Sequence, residues 1–198
     1  MKKFIISLIS ILFFLQSSLQ SYSTDPKEFV SELVNDAISK LSDKSISDKV
    51  KAEFIEKIAL KNVDIKALSL YTLGEVRKTV KDEKKIEYQQ VFEKYFLKSL
   101  TSRLSDYSES KFEITGYDQK SSKYTIVFSK ITPENGDPEI KIDWRVYTKN
   151  PDKPLIRDLI VEGLSLARTQ KEEFASILNS NNNDINILIE KLREFVKN

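Results

Sequence analysis

The sequence contains no cysteine and no histidine. Those two absences remove a thiolate nucleophile, an imidazole base, a structural zinc cluster and a triad of the usual kind. They also mean that a secreted form of this chain must be stable without disulfides. A bias toward charge of one sign is missing as well. The 32 Lys and Arg stand against 30 Asp and Glu, interspersed along the chain, so there is no basic face of the kind that binds a phosphate backbone. The short Lys84-Lys85 run reads as a solvated helix face, and no nucleic acid is expected as a partner.

The last thing missing is a long apolar run. Phe4 to Leu15 is greasy apart from two serines, but it is 12 residues long, against about 20 for a membrane-spanning helix. Lys2 and Lys3 precede it and small polar residues follow, which is the layout of a secretory signal peptide. Ser21 and Ser23 fit the small-residue positions before a cut, so the expected mature start is Thr24. With no Cys near that point, a lipid-anchored lipoprotein is excluded. Cleavage after Ser23 removes two lysines and no acid, leaving 30 basic and 30 acidic side chains. The expected organisation is a signal peptide over residues 1–23 and a single domain over 24–198, long enough for one real core.

Asp25-Pro26-Lys27-Glu28 reads as a helix start, with Asp25 as the cap and Pro26 in the first turn. Phe29, Leu33, Ala37 and Leu41 then form one stripe. A second helix is expected from about Ser47 to Leu60, burying Val50, Phe54, Ile55 and Ile58. A short third helix follows Asp64 and is stopped by Gly74. The longest helix runs from about Asp82 to Ser105, with a broad aromatic face carrying Tyr88, Val91, Phe92, Tyr95 and Phe96.

After Tyr107 the period changes to two. Phe112–Tyr117 and Tyr124–Ile131 suggest a hairpin around the polar loop Asp118–Lys123. In the next strand Ile140, Ile142, Trp144 and Val146 alternate with Lys141, Asp143, Arg145 and Tyr147. Leu155–Val161 is mostly apolar on both faces and is expected to be covered on both. Two helices close the chain, from about Ala167 to Leu178 and after Asp184. The expected fold class is therefore α+β, with N-terminal helices, an antiparallel sheet of about four strands and C-terminal helices enclosing an apolar pocket. No internal repeat is visible, and Asn179–Asn183 reads as a loop.

Several residues together resemble a known family. Val63-Asp64 followed by Leu73-Gly74 and Arg77, a long aromatic-rich helix, Ile142-Asp143-Trp144-Arg145-Val146, and Asp158-Leu159-Ile160-Val161-Glu162-Gly163-Leu164-Ser165-Leu166 resemble the MlaC, or toluene-tolerance auxiliary, family. The likeness runs from Pro26 to Phe195, and Asp158 to Leu166 is its most specific part. It implies a periplasmic phospholipid carrier and no enzyme. The implied partners are phospholipid, an inner-membrane ABC transporter complex and an outer-membrane lipoprotein–porin complex; no cofactor and no metal are expected. The pocket residues implied are Leu68 and Leu73, then Val91, Tyr95, Leu100 and Leu104 from the long helix. The sheet would add Ile142, Trp144, Val146, Leu159, Val161 and Leu164.

Physics supports the need for enclosure. Two acyl chains hold about 30 methylenes, and at about 0.8 kcal/mol each their exposure would cost more than about 20 kcal/mol. Handover between two apolar sites needs no bond chemistry, and a docking partner can drive it by favouring an open state.

Two other classes remain on the residues alone. Asp143 or Asp158 could act as a base in a small α+β enzyme, although Asp158 reads more simply as structural, accepting hydrogen bonds or pairing with Arg145 or Arg157. Alternatively, the apolar residues are filled core in a non-catalytic periplasmic interaction module. Gly163 reads as a backbone requirement, and Ser165 as a turn or cap hydroxyl with no base to activate it.

Overall fold

The structure is a computed structural model that describes residues 21–104, 110–134 and 136–197. The expected signal peptide lies outside the described residues except for its last three positions.

The first three helices start where a polar side chain can take up free N–H groups. Helix α1 (Pro26–Ser42) is capped by Asp25, whose carboxylate accepts from the N–H groups of Lys27 and Glu28, both at 3.0 Å. Ser47 caps α2 (Asp48–Asn62), which buries Ile55 and Ala59 while Val50 stays exposed. Asp64 caps α3 (Ile65–Thr72) through the Ala67 N–H at 3.1 Å. Gly74 then adopts φ 57°, the left-handed stop expected of it, and opens a 3₁₀ turn over Gly74–Lys78. The long helix α4 spans Asp82–Leu104.

The strands are β1 (Ser110–Ser121), β2 (Tyr124–Pro133), β3 (Ile140–Tyr147), β4 (Leu155–Val161) and the two-residue β5 (Leu164–Ser165). They form one antiparallel sheet in the order β1-β2-β3-β4-β5, followed by α5 (Leu166–Asn179) and α6 (Ile185–Lys197). The fold is α+β, as expected. Two strand details differ from the reading of the sequence. Asp118–Ser121 is strand and not loop, because backbone pairing with β2 needs no apolar side chain at an exposed sheet edge. A fifth strand exists because Glu162 (φ 48°) and Gly163 (φ 82°) make a two-residue turn with positive φ at both positions, which folds β5 back on β4.

The interior divides into two cores. In one, Phe29, Val30, Leu33 and Val34 of α1 lie against Val127, Val146 and Ile156 of the sheet, with Trp144, Leu159, Phe112 and Ile114 at the margin. In the other, α3, α4, α5 and α6 bury Leu73, Tyr88, Phe92, Phe174, Leu188 and Ile189 among themselves. The Tyr88 hydroxyl is satisfied there by the Thr72 Oγ1 at 2.8 Å. Helix α4 packs on α6, α3 and α2.

The two cores meet at the edge of β4. Val63 bridges to Ile156, and the Asp64 N–H donates to the Ile156 carbonyl at 2.9 Å. This junction sets where α3 stands relative to the sheet.

Candidate functional site

The pairing register decides which side chains share a face. Val127 faces Trp144, and Trp144 faces Leu159, so these side chains all point toward α1. The next residue along each strand turns the other way: Ile126 and Phe128 on β2, Asp143 and Arg145 on β3, Ile160 on β4. At Arg157-Asp158 a β-bulge sets two residues of β4 against Arg145. The bulge breaks the alternation, so Ile156 and Leu159 both pack on the α1 side, while Arg157 and Asp158 both reach the opposite face.

That opposite face is the floor of an open trough of about 740 Å³, within the roughly 300–1,000 Å³ typical of small-molecule sites. Ala67, Leu68 and Tyr71 of α3 and Ala167 of α5 form one side, and Lys120, Ser121 and Tyr124 at the β1–β2 hairpin form one end. The lining is mixed: Leu68, Ile126, Phe128 and Ile160 are apolar, whereas Asp143, Arg145, Arg157 and Asp158 bring charge into the same space.

Three of these charged groups have structural partners. Arg157 donates to Asp64 through Nε at 2.8 Å and pairs with it through Nη2 at 2.7 Å. It also donates to the Tyr124 hydroxyl at 2.8 Å and lies 3.4 Å over the Tyr147 ring. Asp158 is buried and fully engaged, since Oδ2 accepts from the Ser165 hydroxyl at 2.6 Å and Oδ1 from the Ala167 N–H at 3.0 Å. Ser165 in turn caps α5 through the Arg168 N–H at 3.1 Å. Asp158 and Ser165 together therefore fix the start of α5 beside the trough. Arg145 makes an ion pair with Asp158 at 3.7 Å and leaves its side chain 45% exposed. Asp143 differs from all of these. Among the described residues no hydrogen bond or ion pair reaches its carboxylate, and burial pushes its pKa up from the ordinary carboxylate range.

Of the twelve residues expected to line a pocket, the structure brings Leu68 to the trough. Trp144, Val146 and Leu159 belong instead to the packed α1 face, where Trp144 donates its Nε1–H to the Ser129 hydroxyl at 2.9 Å. Ile142 is buried on that same face. Leu73, Val91 and Tyr95 sit in the helical core, and the Tyr95 hydroxyl donates to Gln170 Oε1 at 2.8 Å. Leu100 and Val161 are half-buried and do not line the trough, and Leu164 is 68% exposed. The Leu104 side chain lies outside the described residues. The long helix thus does not supply the facing wall; its aromatic side is taken by α6 and α5. Ile126, Phe128 and Ile160 line the trough and were not among the residues expected to. The signal for them was present, since β2 is apolar on both faces, one more face than a single covering helix can fill.

Among the described residues no group of acidic side chains could hold a metal ion, and no helix is long and apolar enough to cross a membrane.

No curated protein matches the chain in sequence. Among solved structures, the fold is shared with a phospholipid-binding protein from Ralstonia solanacearum, solved in complex with a phospholipid. That likeness has a TM-score of 0.72 at 18% sequence identity and covers 86% of this chain and 96% of the other. The family profile described as MlaC protein matches residues 31–194. Because that match spans most of the chain and every element lining the trough, the chain belongs to the MlaC family.

Proposed function

We propose that the protein is a periplasmic phospholipid carrier, made with a cleavable signal peptide over residues 1–23 and a single binding domain over 24–198. It shuttles lipid between the outer and inner membranes, working with an ABC transporter complex at the inner membrane and a lipoprotein–porin complex at the outer one. The observation that carries this reading is the trough on the uncovered face of the sheet. An antiparallel sheet can leave one face to water, but that face is then ordinarily polar, and here the open face carries Ile126, Phe128 and Ile160, with Leu68 of α3 beside them. We assign the acyl chains to those four side chains, with Ala67 and Ala167 leaving room beside them.

Burying the tails there is a matter of apolar area removed from water, and release is handover to another apolar site, with no bond made or broken. A base at Asp158 is a poor alternative, because both of its oxygens are already engaged with Ser165 and Ala167.

The test is to express the chain with its own leader, purify the mature protein from a bacterial periplasm and extract it with organic solvent. Mass spectrometry is expected to find phospholipid in the extract, and the protein to begin at Thr24. A well-folded protein with no lipid would overturn the reading.

A further inference from the structure

We propose that Asp143 and Arg145 form a head-group site for a phospholipid bearing a primary amine, with Arg145 taking the phosphate and Asp143 the ammonium. This rests on the carrier reading above and names the lipid class it would prefer.

The two side chains lie two residues apart on one face of β3, so their Cα atoms are about 7 Å apart along the strand. In a head group of the ethanolamine type, four bonds separate phosphorus from nitrogen, and a charge-assisted hydrogen bond of about 2.8 Å extends the reach at each end. The spacing of the pair and of the head group are thus on the same scale. Arg145 is suited to phosphate because its one ion pair among the described residues, through Nη1 to an already engaged Asp158, leaves Nε and Nη2 to a ligand and the side chain 45% exposed. A guanidinium also offers paired donors to phosphate oxygens.

Asp143 is the discriminating member. Its cross-strand neighbours are Phe128 and Ile160, both apolar. Of the other cations near the sheet, Arg157 is held by Asp64, and Lys130 by Glu139 at 3.2 Å and Glu113 at 3.4 Å. Lys141 shares a small neighbouring cavity of about 220 Å³ with Asp143 but forms no ion pair with it among the described residues. A half-buried carboxylate left in this state repels a ligand that is only anionic and favours one that brings its own cation. The shift of its carboxyl agrees with desolvation unrelieved by a partner.

The test uses the purified mature protein, stripped of lipid and incubated with vesicles of equal parts phosphatidylethanolamine, phosphatidylcholine and phosphatidylglycerol. Mass spectrometry of the re-isolated protein reads which lipids were taken. The ethanolamine lipid is expected in about tenfold excess over either of the others, the scale of one charge-assisted hydrogen bond. Asp143→Asn is expected to bring the three lipids close to parity through loss of uptake of the ethanolamine lipid, and Arg145→Gln to lower uptake of all three. Equal uptake of the three by the native protein, or a preference that survives Asp143→Asn, overturns the assignment and leaves the carrier reading standing. A native protein that takes up no lipid at all overturns both.

Discussion

The two faces of β2, β3 and β4 are made of alternating residues of the same strands, yet one is closed and the other open. On the closed face Phe29, Val30, Leu33 and Val34 of α1 pack against Val127, Val146 and Ile156. On the open face α3 and α5 stand at the β4 edge, held there by the Asp64–Arg157 pair and by the cap at Asp158 and Ser165. The contrast teaches that the site is not created by special residues alone. It exists because the helices on that side are anchored at the margin and packed on one another, so that they leave the middle of the sheet uncovered.

If the contrast is right, substitutions one residue apart have different consequences. The largest effect is expected from Val146→Asp, which places an unpaired charge at a position with 0% exposure. It should cost on the order of 4 kcal/mol or more and abolish cooperative unfolding by circular dichroism. A folded variant would show that the α1 face is not the tight core described. Trp144→Ala should cost about 3 kcal/mol in urea unfolding while leaving the lipid bound per folded molecule unchanged. A selective loss of lipid would instead move Trp144 into the site. Ile160→Trp tests the other face: lipid uptake from vesicles should fall about tenfold, equivalent to about 1.4 kcal/mol, with the melting temperature nearly unaltered.

The smallest effect is expected from Asp143→Asn, which should raise the melting temperature slightly at pH 7. Burial raises the carboxyl pKa in the native state above its unfolded value, so the native protein keeps its proton to higher pH. Stability therefore falls as pH rises through the window between the two values. The advantage of Asn should be full above that window and shrink as pH is lowered through it, with Arg145, Lys141 and Asp158 the charged neighbours in both proteins. A difference independent of pH would point to packing instead.

Element existence was legible because each start carries a local mark. Asp25, Ser47, Asp64 and Ser165 cap helices by hydrogen bonds that a short window of sequence can anticipate, and Gly74 stops one by its backbone angle. The meander was readable for the same reason, since every strand pairs with its neighbour in sequence. The position of the cavity was not, because it depends on non-local choices. Alternation tells that Trp144 and Arg145 point to opposite sides, but not which side receives α1. The bulge at Arg157-Asp158 then removes the alternation in β4, so Ile156 changes company and packs with Leu159. The aromatic stripe of α4 was visible, but whether it would meet the sheet or α6 is set by tertiary packing that periodicity does not encode. Asp143 and Arg145, which share the trough floor with apolar side chains, read in the sequence as the solvent side of a half-buried strand, so the expectation fell on the face that α1 covers.

The closed face also governs how the molecule can come into being. Helix α1 finds its partners on β1, β2, β3 and β4, and the contact that ties α3 to β4 joins residues 93 apart. Such closures are slow, because the entropy of the long intervening chain must be lost before they are rewarded. The hairpins can zip early and offer α1 Val127, Phe112 and Ile114, but its core is completed only when Ile156 and Leu159 of β4 have been made. A truncation before Leu155 takes Ile156 and Leu159 from the α1 core and Phe174, Leu178, Leu188 and Ile189 from the helical one, and is therefore expected to leave the chain unable to fold, which ties the fate of its earliest helix to its last elements.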